Sequence, residues 1–121
     1  MDILNLTQHV ASEAQIEAGV YNPNSDFKAE LTQLLTFKWG STSKYGILSA
    51  AIEITQMANQ QYHPEAVMIG GAPYLMGPLA KTLSEAGIRP LFAFSERVSE
   101  EDPETGMKVS VFKHLGFVDG T

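Results

Sequence analysis

The segment Ala66-Val67-Met68-Ile69 constrains this chain more than any other. It is apolar at every position and lies between Pro64 and the pair Gly70-Gly71. A strand that is apolar on both faces needs cover above and below, the condition of a parallel strand between layers. The residues after it read as a turn, Gly70-Gly71-Ala72-Pro73, and then as a helix from about Tyr74 to Ala86, with Gly87 placed as a left-handed cap. Arg89-Pro90 leads into Leu91 to Phe94, another apolar strand. Strand, helix and strand in so few residues make a βαβ unit with a right-handed crossover.

The remaining chain fits this frame. Ile3 to Thr7 reads as a buried first strand, and Ser12 with Gln15 as a capping box opening a short helix that Gly19 closes. Tyr21-Asn22-Pro23-Asn24 reads as a turn, and Ser25 as the cap of a helix striped by Phe27, Leu31, Leu34 and Leu35. Trp39-Gly40-Ser41-Thr42-Ser43 breaks that helix, and a longer one runs from about Ser43 to Gln60. Residues 92–99 and 107–118 are β-rich and joined by an acidic turn, which predicts an antiparallel hairpin arm on one edge of the sheet. The expected fold is therefore a single α/β domain over 1–121. It is a Rossmann-like three-layer sandwich with a mostly parallel sheet and a C-terminal antiparallel hairpin.

Composition narrows the function. Eight basic against fourteen acidic residues give a net charge of −6, which argues against a groove for long nucleic acid. A short or cyclic nucleotide held by backbone amides remains compatible. The absence of cysteine removes disulfides, thiolate metal sites and a cysteine nucleophile. No histidines stand three or four apart, so neither a metal nor another cofactor is expected. No signal peptide or membrane-length apolar run is visible, and the expected location is the cytoplasm.

Ligands of open parallel sheets sit beyond the carboxyl ends of the strands. Three segments should meet there: Asn5, Thr7, Gln8 and His9; Gly70, Gly71 and Ala72; and Ser95, Glu96 and Arg97. Glycine lets backbone approach a ligand, and the helix that follows offers free N–H groups to an anion. Tyr74 either stacks on a ring or covers the strand end, and Arg97 pairs with a nearby acid or with a phosphate. His9 suits general-base work near neutral pH, or simply faces solvent. His63 reads as a loop residue. His114 reads as a core-edge residue, able to reach the site only if its strand lies beside the first or third strand.

Leu4-Asn5-Leu6-Thr7-Gln8-His9 followed by Ser12-x-x-Gln15 resembles the first strand and helix of small Rossmann-like proteins of type III CRISPR defence. These are ring nucleases and proteins that bind cyclic oligoadenylates. The turn Ile69-Gly70-Gly71-Ala72 is similar to their glycine-bearing loop. The resemblance implies a two-fold-symmetric cyclic ligand bound across a homodimer. Metal-independent cleavage would be assisted by His9 or Ser95, with the amides of Gly71 and Ala72 on the phosphate. Two other functions fit the same residues: an enzyme acting on a small phosphate or carboxylate metabolite, and a non-catalytic protein-interaction module that uses the arm.

Overall fold

The computed structural model describes residues 1–121. Its elements are β1 (Ile3–Asn5), α1 (Glu13–Glu17), β2 (Val20–Tyr21), α2 (Ser25–Leu35), α3 (Lys44–Gln61), β3 (Ala66–Ile69), α4 (Pro73–Glu85), β4 (Arg89–Glu101) and β5 (Lys108–Asp119). One five-stranded sheet runs in the order β2-β1-β3-β4-β5. The first four strands are parallel; β5 is antiparallel to β4. The molecule is thus a mixed α/β protein with a mostly parallel sheet and a C-terminal antiparallel strand pair.

All four residues of β3 are buried, as the apolar run requires. Leu4, Val67 and Ile69 face a cluster with Phe27, Leu31, Ile54, Leu75, Leu79 and Leu83, so α2, α3 and α4 pack on one side of the sheet. Ile3, Ala66, Met68 and Leu91 form a second cluster closed by Ala11, Val20 and Phe117. No residue of α1 is buried, and this second side carries no long helix.

Local signals explain the element ends. Ser12 accepts from the Gln15 amide while the Gln15 side chain caps the Ser12 amide, completing the capping box. Asn24 rather than Ser25 caps α2, accepting from Phe27 N–H at 2.8 Å. Its own amide donates to the Tyr62 hydroxyl at 2.8 Å, tying the start of α2 to the end of α3. Gly19 and Gly87 take left-handed backbone at φ 109° and 79°, where an L side chain is disfavoured. Gly19 also lies against the Met1 carbonyl, leaving no room for a Cβ.

Two elements differ from the sequence reading. β1 ends at Asn5 rather than Thr7, because the Asn5 side chain takes up the backbone that follows. Val20–Tyr21 forms a short parallel strand where a turn was expected, a two-residue pairing with no periodicity to reveal it.

β4 and β5 are long. β4 pairs with β3 only over Arg89 to Phe92, whereas it pairs with β5 through Glu101. The two strands therefore run out of the sheet as a ribbon. Phe94 faces Gly116 and Ser95 faces His114, so Leu115 is the extra residue of a bulge at the ribbon's root.

Candidate functional site: a groove beyond the strand ends

The strand order reverses between β1 and β3: the chain moves from β1 to β2 on one side and from β3 to β4 on the other. Crevices for ligands form at such a point. The Asn5 side chain, 2% exposed, organises it. Its Nδ2 donates to the His9 carbonyl at 2.7 Å and to Asn22 Oδ1 at 2.9 Å. Its Oδ1 accepts from the Thr7 amide at 2.9 Å and the Thr7 hydroxyl at 2.7 Å. Asn5 is thereby fully engaged within the protein, and it holds Thr7 and His9 in place.

His9 is exposed and lines a groove of about 730 Å³ with Ser12, Gln15, Ser95, Lys113 and His114, among others. The volume lies within the usual range for small-ligand sites. His9 and Ser95, each a candidate to assist cleavage, thus share one groove. His114 joins them because β5 lies beside β4, opposite Ser95. Both ring nitrogens of His114 are buried without a hydrogen-bond partner, and the ring meets Phe117 edge-on at 4.9 Å. No local motif marks His114 in the sequence; only its register against Ser95 does. The groove's charge is mixed, with Glu13 and Glu100 beside Lys113.

The remaining candidates lie apart. Gln8 is exposed beside His9. Arg97 is exposed on the ribbon with its guanidinium 5.1 Å from the Phe112 ring centre. Phe112 is a groove residue. Gly70 adjoins Thr7: a Cβ there would stand 3.6 Å from Thr7 Cγ2. Gly71, at φ 143°, is exposed and turns the chain toward α4. Ala72 is the N-cap residue of α4, with no side-chain hydrogen bond to the first turn, and Pro73 stands at the helix start. Gly70, Gly71 and Ala72 do not line the His9 groove. Tyr74 belongs to a second groove, with Phe37, Lys38, Trp39, Gly40, Thr42 and Ile47.

The groups with shifted titration lie outside both grooves. Arg89 and Asp119 form an ion pair at 3.1 Å. The Asp119 carboxyl is held down to about 2, first by the Thr121 hydroxyl, then by the Thr121 amide and Arg89. Burial, then the neighbouring Asp2, pushes Tyr21 up to about 12. No group of three or more His, Asp or Glu side chains is arranged to hold a metal ion. No helix is long and apolar enough to cross a membrane.

Fold and site together define an α/β protein with an open, mostly parallel sheet and a histidine-lined groove beyond its strand ends. The model of the Uncharacterized protein MJ1673 family matches residues 1–118, and the protein belongs to that family. No curated protein and no solved structure matches the chain.

Proposed function

We propose that the protein binds a nucleotide phosphate, of the cyclic oligoadenylate class, beyond the carboxyl end of β1 and against the root of the β4–β5 ribbon. The observation that carries this reading is that His9, Ser95 and His114 line one groove there. We read the layers as Rossmann-like, with α1 and its approach on the face opposite α4, as right-handed crossovers in opposite directions require. The working location is the cytoplasm. The arm supports a homodimer, since Phe94, Phe112, Leu115 and Val118 are exposed on it and β5 has an unpaired edge. Light scattering that finds only monomer, with and without ligand, would remove the dimer from this proposal.

Cleavage is the second step of the reading. A ribose 2′-hydroxyl attacks the adjacent phosphorus, its proton passes to His9, and the bond to the 5′-oxygen breaks. The departing oxygen takes a proton from water, and His9 returns its own to solvent. The products are a 2′,3′-cyclic phosphate and a 5′-hydroxyl, with no metal required. Ser95 orients the phosphate by its hydroxyl. The test is a thermal-shift series with cyclic oligoadenylates, linear oligoadenylates and inorganic phosphate. A ligand at one hundred times its dissociation constant stabilises by about 2.7 kcal/mol. The wild type is expected to respond to an oligoadenylate, and His9→Ala and Ser95→Ala to respond less. Wild-type affinity in both variants, or no response to any nucleotide, defeats the proposal.

A further inference from the structure

We propose that the second groove, between the α2–α3 loop and the first turn of α4, is a ring-binding site for the base of an anionic nucleotide. This rests on the nucleotide reading above and adds a separate contact surface to it. The groove holds about 650 Å³, enough for a base and its sugar phosphate.

Its walls are aromatic and differently exposed. Phe37 packs on the main core and meets Tyr74 edge-on at 5.4 Å, which holds the Tyr74 ring in place. Tyr74 is half exposed, and Trp39 is fully exposed at 103%. An indole is large and apolar and is usually well buried. Here it stands in solvent on a braced turn. The Thr42 hydroxyl donates to the Lys38 carbonyl at 2.7 Å, the Ser41 amide donates to the same carbonyl at 3.3 Å, and Gly40 supplies the left-handed residue at φ 86°. The turn fixes the backbone and leaves the ring free to stack.

Charge selects the occupant. The chain carries −6 overall, yet no Asp or Glu lines this groove, and Lys38 has no carboxylate partner. Tyr74 lies in the first turn of α4, where the positive end of the helix dipole favours an anion. A saccharide would also stack on indole, but its hydroxyls need carboxylates or amides, and no Asp, Glu, Asn or Gln side chain lines the groove. A nucleotide offers a flat base to the aromatic rings and a phosphate to Lys38, which a neutral saccharide does not.

Trp39 is the only tryptophan in the chain, so its emission reads this groove alone. The full-length protein is titrated with adenosine monophosphate, adenosine, ribose 5-phosphate and inorganic phosphate, with N-acetyl-tryptophanamide as the optical control. The nucleotide should quench Trp39 saturably, adenosine should do so at higher concentration, and the two ringless compounds should not. Tyr74→Ala should weaken the nucleotide roughly tenfold to a hundredfold, the loss of one stacking platform. Lys38→Gln should bring the nucleotide's affinity down to that of adenosine. A nucleotide response no greater than the control's overturns the inference. So does emission that shifts with protein concentration before any ligand is added, because a second copy would then be covering Trp39. If oligoadenylates stabilise the fold while Trp39 stays silent, the ring site fails and the nucleotide reading stands. If Trp39 is quenched while His9→Ala binds normally, the ring site stands and the His9 groove fails.

Discussion

Replacing Asn5 with alanine should both destabilise the protein and release His9. The Asn5 side chain makes four hydrogen bonds, to Thr7 twice, to the His9 carbonyl and to Asn22. A hydrogen bond of this kind contributes about 0.5–1.5 kcal/mol net. The losses are not all complete. Thr7 and His9 reach solvent, and Asn22 Oδ1 keeps the Ala11 amide at 3.0 Å. The expected cost is therefore about 2–4 kcal/mol, and a shift in melting temperature on the order of 10 °C for a domain of this size. Asn5→Asp should be worse at neutral pH, since a carboxylate has no N–H to give to the His9 carbonyl or to Asn22. Urea unfolding measures both: the midpoint should fall while the slope is unchanged. Ligand affinity at the His9 groove should fall with it in the folded protein. If Asn5→Ala unfolds within about 0.5 kcal/mol of wild type, the polar clasp is not what holds the turn after β1.

Two further outcomes follow from groups described above. His114→Phe should raise stability by about 1–3 kcal/mol, because it replaces buried nitrogens that have no partner while keeping the contact with Phe117. A lower urea midpoint in that variant would show that the imidazole is stabilising where it sits. Asp119 titrates at about 2 when folded, below its ordinary value near 4, so its contribution is complete above that ordinary value and is lost as pH falls through about 2. Stability curves of wild type and Asp119→Asn should converge across that interval, and curves that stay parallel would refute the assignment.

Features that depend on neighbours in sequence were legible in the sequence. The capping box at Ser12 and Gln15, the left-handed Gly87 and the buried β3 each follow from a few adjacent residues. The antiparallel β5 was legible from its turn and alternation, although the strand reaches Asp119. What depends on register was not. Asn5 reads as a ligand residue because it is polar at a strand end, but folding turns it inward onto Asn22, seventeen positions away. Tyr74 and His9 read as one site because both follow strand ends, yet they line different grooves. Trp39 reads as a helix breaker, and only the placement of its turn beside α4 puts it in a groove with Tyr74. The bulge at Leu115 leaves no mark in the alternation, and it is there that the pairing steps from His114 opposite Ser95 to Gly116 opposite Phe94.

The His9 groove has walls of unequal durability. His9 is tied to the buried sheet through Asn5, but Ser95, Phe112, Lys113 and His114 belong to the ribbon, whose two strands beyond Phe92 are hydrogen-bonded only to each other. A two-stranded ribbon is marginal by itself in water, so it opens at a lower free energy than the core. The groove needs the arm in place, so under the proposed function the observed affinity would be the intrinsic affinity scaled by the fraction of closed arms. A bound ligand should then slow amide hydrogen exchange along Ser95 to Glu101 and Lys108 to His114 more than anywhere in the helices. The arm would carry the record of occupancy outward from the sheet to its tip.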